Sequence, residues 1–96
     1  MMNDPSPLQL PEALDLLAAT PLAKTLLERR GASIVIDASS VQRVGAQCAQ
    51  VLLSAASTWT ADGHSLAIVN RSPGFVEGLQ LLGIPSDAFI EGEVQQ

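Results

Sequence analysis

Three groups of side chains in this sequence could do chemistry: Asp37 with Ser39 and Ser40, the single cysteine Cys48, and the single histidine His64. Ser39 and Ser40 follow the end of an apolar run, where α/β proteins place their sites, and either hydroxyl could be modified. Capping of a loop by these hydroxyls and the Asp37 carboxylate explains the same pattern, and that is the expectation. Cys48, near a helix start, could ionise easily and sense oxidants. Its helical phase with Leu52 and Trp59 instead places it in the core as a small apolar residue. His64 has no cysteine or carboxylate at ligand spacing for a metal site. It has no Gly-x-Ser-x-Gly elbow as a nucleophilic partner, and the chain has no glycine-rich phosphate loop. No catalytic residue, metal ligand or cofactor is therefore expected, nor is enzymatic activity.

Such residues need a scaffold, and the composition bounds it. The chain has 96 residues, 47% of them hydrophobic and 3% aromatic. That is enough for one domain with one core, built from Leu, Val, Ile and Ala. Ten acidic residues against five basic ones give a net charge of −5. With no basic run, nucleic acid and anionic membranes are disfavoured as partners. One cysteine excludes an internal disulfide. The opening MMNDPSPLQLP lacks a basic segment followed by an apolar one, so no signal peptide is expected. No apolar run approaches the length of a membrane span. The expected location is cytoplasmic.

Leu8–Leu10 alternates and stops at Pro11, which predicts a short edge strand. Residues 13–17 fit either a second short strand or a helical turn. Thr20-Pro21 carries the N-cap and first-position signature of a helix. Leu22, Leu26 and Leu27 would form its face, Arg29 and Arg30 its last turn, and Gly31 its end. Ile34-Val35-Ile36 and Leu66–Val69 are continuously apolar, which predicts strands covered on both faces. The interval between them, residues 38–65, suits a right-handed crossover between parallel neighbours. It holds a long helix with Cys48, Leu52, Ala55 and Trp59 on one line, flanked by Val51 and Ala56. Gln47, Gln50, Ser54, Ser57 and Ala61 line the opposite, nearly uncharged side, and Gly63 ends the helix. Ser72-Pro73 starts a last helix whose stripe is Phe75, Leu79 and Leu82, capped by Gly83. Ile84 should tuck back onto the core, and Phe89 to Gln96 should fray.

The order strand, Asp-x-Ser loop, helix, strand, Ser-Pro helix, Leu-Gly-Ile resembles the STAS domain family, named for sulfate transporters and anti-sigma factor antagonists. The residues carrying it are IVIDASSV (Ile34–Val41), the helix after Val44, Asp62-Gly63 before LAIVN (Leu66–Asn70), and Ser72-Pro73 through LLGI (Leu81–Ile84). ALDLLAATPL (Ala13–Leu22) is similar to the family's entry into its first helix. The resemblance implies a single α/β domain over residues 8–90, with 1–7 and 91–96 as flexible tails. Its sheet would be mixed and mostly parallel, with helices packed largely on one face.

In the family, the loop before the central helix reads like Asp-Ser-Ser-Gly-Leu, and its second serine accepts phosphate. Aligned on Val44, this chain has Gly45-Ala46-Gln47-Cys48-Ala49, so Gln47 stands at the phosphoacceptor position and no phosphorylation there is implied. The string VQRVGAQCAQVLLSAASTW is similar to small STAS proteins of alphaproteobacterial chemotaxis operons, which implies a chemotaxis histidine kinase as partner. An accessory subunit of a membrane lipid ABC transporter and a degenerate anti-sigma factor antagonist are the alternatives the resemblance leaves. The expected partner surface comprises Ser39, Ser40, Arg43, Gly45, Ala46, Gln47, Ala49, Gln50 and Leu53. A helix N-terminus offers unpaired N–H groups there, although Ala46, Ala49 and Leu53 could equally pack beneath a neighbouring helix.

Overall fold

The apolar run Ile34-Val35-Ile36 forms the centre of a three-stranded parallel sheet. The computed structural model describes residues 7–89, apart from the side chains of Ser86 and Asp87. In it, β3 (Ile34–Asp37) lies between β1 (Leu8–Gln9) and β5 (Leu66–Val69). The register pairs Leu8 with Ile36 and Ile34 with Leu66. A second parallel ladder joins β2 (Ala13–Leu14) to β4 (Arg43–Val44), pairing Ala13 with Arg43 and Leu14 with Val44. Segment 13–17 thus holds both of the structures its sequence allowed, a two-residue strand and then a helix start. Every described pairing is parallel.

Burial alternates along the central strands: Ile34, Ile36, Leu66 and Ile68 are buried, whereas Val35 and Ala67 are exposed. The two-faced covering expected from the apolar runs is therefore not found among the described residues. Helices cover one face, and Val35 is retained on the other because a β-branched side chain suits a pleated strand without burial.

Helix α1 (Leu16–Glu28) begins well before Thr20-Pro21. Asp15 caps it, its Oδ1 accepting from the Ala18 amide at 3.2 Å. Pro21 sits inside the helix, where it removes one backbone donor that the remaining turns tolerate. The buried face is Ala19, Leu22 and Leu26, whereas Leu27 is exposed. Arg29 is the C-cap and Arg30 lies past the end, so neither stands in the last turn as the sequence suggested. Arg30 instead reaches the C-cap of α2 (Ala46–Ala61), with Nε and Nη2 donating to the two oxygens of Asp62 at 2.8 and 3.2 Å.

Helix α2 buries Cys48, Leu52, Ala55, Ala56 and Trp59, as its periodicity predicts, together with Ala49. Its end is a Schellman turn: Gly63 (φ +79°) donates to the Thr60 carbonyl and His64 to that of Trp59, each at 3.0 Å. Helix α3 (Pro73–Leu81) starts on Ser72, whose Oγ accepts from the Phe75 amide at 3.0 Å. It closes the same way through Gly83 and Ile84. Leu82 falls at the C-cap and is partly exposed, so only Phe75 and Leu79 of the expected stripe are buried in the helix. Phe89, expected to fray, is buried in a 3-10 turn (Ser86–Phe89) with its ring centroid 6.5 Å from that of Phe75. The rest of the expected C-terminal tail, and residues 1–6, lie outside the described residues.

Two surface carboxylates tie stability to pH. Hydrogen bonds from Ser39, and then from Asn70, hold Asp37 below the ordinary carboxylate range, and the Arg30 hydrogen bond does the same for Asp62. A carboxylate with a depressed folded pKa contributes stability above its unfolded value and loses it as pH falls through the folded one. Urea midpoints should therefore be flat near neutrality and decline below about pH 4. In Asp37→Asn that acid decline should be shallower; an unchanged slope would remove Asp37 from the account.

Candidate functional site

The start of α2 is built by the β2–β4 ladder and the segment before α1. The Glu12 carbonyl accepts from the amides of Gln42 (2.7 Å) and Arg43 (3.2 Å), and the Leu14 carbonyl from Gly45 (2.7 Å). One residue on, the Cys48 thiol donates to the Asp15 carbonyl at 3.3 Å. These contacts set the starts of α1 and α2 side by side, and the Arg30–Asp62 pair joins their ends. Gly45 is the N-cap and brings no side-chain cap. A Cβ there would stand 3.2 Å from the Leu14 carbonyl oxygen, so glycine permits the close seam.

The other side of the loop is held by α3. Gly74 packs so near Gln42 that a Cβ would lie 2.7–2.9 Å from its backbone, and a Cβ at Gly78 would lie 2.9 Å from the Val44 side chain. The Ser72 hydroxyl donates to the Val41 carbonyl at 2.5 Å. The loop from Ala38 to Gly45 is thus pinned from both sides, with Ala38 and Val41 buried.

The expected partner residues fall into three environments. Ala46, Gln47 and Gln50 are exposed and Gly45 is half-buried. Ser39, Ser40 and Arg43 are also exposed. Asp37 caps this end of β3, with Oδ1 accepting from the Ser39 amide at 2.8 Å and Oδ2 from Asn70 Nδ2 at 3.1 Å. The loop-capping reading of the Asp37–Ser39 group thus matches these contacts. Ala49 is 1% exposed and belongs to the core, so it supports the surface from below and cannot itself be touched. Leu53 is half-buried, near Ala88 on another side of α2. The buried arc of α2 extends further toward Ala49 and Ala56 than the Cys48–Trp59 line indicates, and this breaks up the expected ridge.

Two residues at this site were not anticipated. Leu16 and Leu17, in the first turn of α1, are 66% and 84% exposed beside the start of α2. Their signal lay in Asp15: taken as the N-cap, it puts Ala19, Leu22 and Leu26 inward and turns Leu16 and Leu17 out. The resulting surface combines the apolar Leu16 and Leu17 with the amides of Gln47 and Gln50, and it also carries exposed Asp15 and Arg43.

Burial pushes the Cys48 thiol up, helped by the negative charge of Asp15, which makes it a poor nucleophile at neutral pH. His64 serves as a backbone donor in the turn after α2. Among the described residues no cluster of His, Cys, Asp and Glu could hold a metal ion. No described helix is long and apolar enough to cross a membrane.

A protein-family model described as Mlab, STAS domain, matches residues 3–90. No curated protein and no solved structure matches significantly. With nearly its whole length matched and its strands, helices and loops in the expected order, the chain belongs to the STAS domain family.

Proposed function

We propose that the chain is a non-enzymatic, phosphorylation-independent interaction module that docks a protein partner on the start of α2. STAS membership supports a regulatory or interaction role in general. The observation that carries the specific reading is the pair Leu16 and Leu17, exposed beside uncharged Ala46, Gln47 and Gln50. Two adjacent apolar side chains exposed beside a loop that is held from both sides offer a partner apolar area to bury. Gln47, at the phosphoacceptor position implied by the family loop, offers an amide and no hydroxyl, so the surface is permanently competent.

The partner proposed is the histidine kinase of a chemotaxis system, on the likeness of VQRVGAQCAQVLLSAASTW to the small STAS proteins of such operons. Such a module works by binding two kinase states with different affinity, thereby shifting their populations. A second reading makes the chain the STAS subunit of a membrane lipid ABC transporter, which the Mlab description of the matched model favours. Capture from lysate with the purified domain separates them. Recovery of transporter ATPase subunits without any chemotaxis component would refute the kinase reading. Ala46→Arg and Gln47→Glu should each weaken capture at least tenfold, about 1.4 kcal/mol. Their urea midpoints should stay within about 0.5 kcal/mol of wild type, as surface changes do. Normal capture by both variants would place the interface elsewhere.

A further inference from the structure

The link from β5 to α3 turns on Asn70, which among the described residues is the one residue other than glycine with a positive φ, at +54°. Gly31, Gly63 and Gly83 hold the other positive-φ positions. Asparagine tolerates the left-handed conformation better than most residues, but glycine adopts it at no steric cost. The backbone angle alone therefore does not select asparagine over glycine at position 70. What glycine would lack is the side-chain amide, whose Nδ2 donates to Asp37 Oδ2 at 3.1 Å. The other oxygen of Asp37 accepts from the Ser39 amide at 2.8 Å, so one carboxylate joins the loop after β3 to the link after β5. Backbone bonds reinforce the junction: Ala38 donates to the Val69 carbonyl at 3.0 Å, and Ser72 to the Ala38 carbonyl at 3.3 Å.

We propose that the Asp37–Asn70 pair is a latch that holds the loop from Ala38 to Gly45 in its docking conformation, with Asn70 as a positioning residue acting through Asp37. The inference rests on the reading of the start of α2 as a docking surface and names what keeps that surface in place. A residue in a sparsely populated backbone conformation persists where its surroundings over-determine it, and such residues cluster where geometry serves function. Here the amide fixes the exit of the chain from β3. Buried Ala38 and Val41 carry that constraint along the loop toward β4, Gly45 and the first turn of α2. The latch lies on the opposite side of the loop from the bonds that Glu12 and Leu14 make to Gln42, Arg43 and Gly45. Releasing it leaves the loop tied to the β2 segment but freer to move away from α3.

The test follows amide hydrogen exchange of the full chain at Ser39, Gln42 and Gly45, which donate to Asp37, Glu12 and Leu14, beside urea unfolding. Asn70→Gly keeps the left-handed backbone and removes the amide. Its urea midpoint should stay close to wild type, while exchange at these amides should rise about tenfold, the worth of one hydrogen bond. Asn70→Asp sets a second carboxylate against Asp37 and should speed exchange at least as much. The double variant Asp37→Asn with Asn70→Asp swaps the two groups, keeps one amide facing one carboxylate, and should restore slow exchange. A residue retained only for its backbone angle would give no such rescue. Capture of the kinase or of the transporter ATPase subunit, whichever the wild-type domain retains, should fall in both single variants and return in the double. The inference is overturned if exchange in Asn70→Gly matches wild type, if the double variant fails to restore it, or if both single variants capture the partner normally. If the wild-type domain captures neither partner, the docking reading falls, and the exchange results alone decide whether the latch holds the loop.

Discussion

Trp59→Ala should lower the unfolding free energy by about 3–5 kcal/mol, a large part of what a domain of this size has. Trp59 is 2% exposed at the far end of α2, and its Nε1 donates to the Ala32 carbonyl at 2.8 Å. Ala32 precedes β3, so the indole ties the end of α2 to the entry of the central strand. Trp59→Phe separates the contributions: it retains most of the packing and should cost about 1–2 kcal/mol for the lost hydrogen bond and smaller ring. Urea unfolding followed by circular dichroism gives both values. If Trp59→Ala costs no more than Trp59→Phe, packing around the indole does not hold this end of the domain.

The second large effect is expected at Gly74. A methyl group there meets backbone atoms of Gln42 at 2.7–2.9 Å, and backbone in a pinned loop has little room to retreat. Gly74→Ala should destabilise by about 1–3 kcal/mol, the usual range for overpacking. Gly78→Ala meets mainly the Val44 side chain, at 2.9 Å from its Cβ. There the gain in helix propensity, about 1 kcal/mol, offsets part of the clash. The order of urea midpoints should therefore be wild type, then Gly78→Ala, then Gly74→Ala, with m unchanged. Equal loss at both positions would mean that the loop yields as readily as a side chain. Because α3 presses on β4 immediately before Gly45, Gly74→Ala should also reduce partner capture more than its stability loss alone explains.

Regular periodicity made α2 legible in the sequence. Cys48, Leu52, Ala55 and Trp59 repeat at helical spacing and are all buried, while Gln47, Gln50, Ser54, Ser57 and Ala61 are all exposed. The β3–β5 crossover was equally readable, since two apolar runs separated by a helix-length interval have few other solutions. What escaped was set by contacts distant in sequence. Thr20-Pro21 imitates a helix start, but Asp15 caps first, and the helix continues through Pro21 with Ala19, Leu22 and Leu26 buried. Arg30 could not be assigned to Asp62 without knowing that α1 and α2 end together. The glycines of α3 read locally as poor helix formers. Only the approach of β4 shows why side chains there would collide. At the candidate site the loop residues were legible from their position before α2, but Leu16 and Leu17 became part of it only through the β2–β4 ladder.

The parallel ladders also bear on how the chain reaches this state. Leu8 pairs with Ile36, Ala13 with Arg43 and Ile34 with Leu66, so paired strands are separated by 28, 30 and 32 positions. No described strand has a hairpin partner that could form early and template the rest. Each ladder requires a long loop to close before any pairing rewards it, which places the domain among slower folders than its helix content suggests. During synthesis, α1 can coil early, but the central strand acquires its second neighbour only after Val69 has left the ribosome. Until then its apolar edge stands open, and the chain's acidity is the main protection against association.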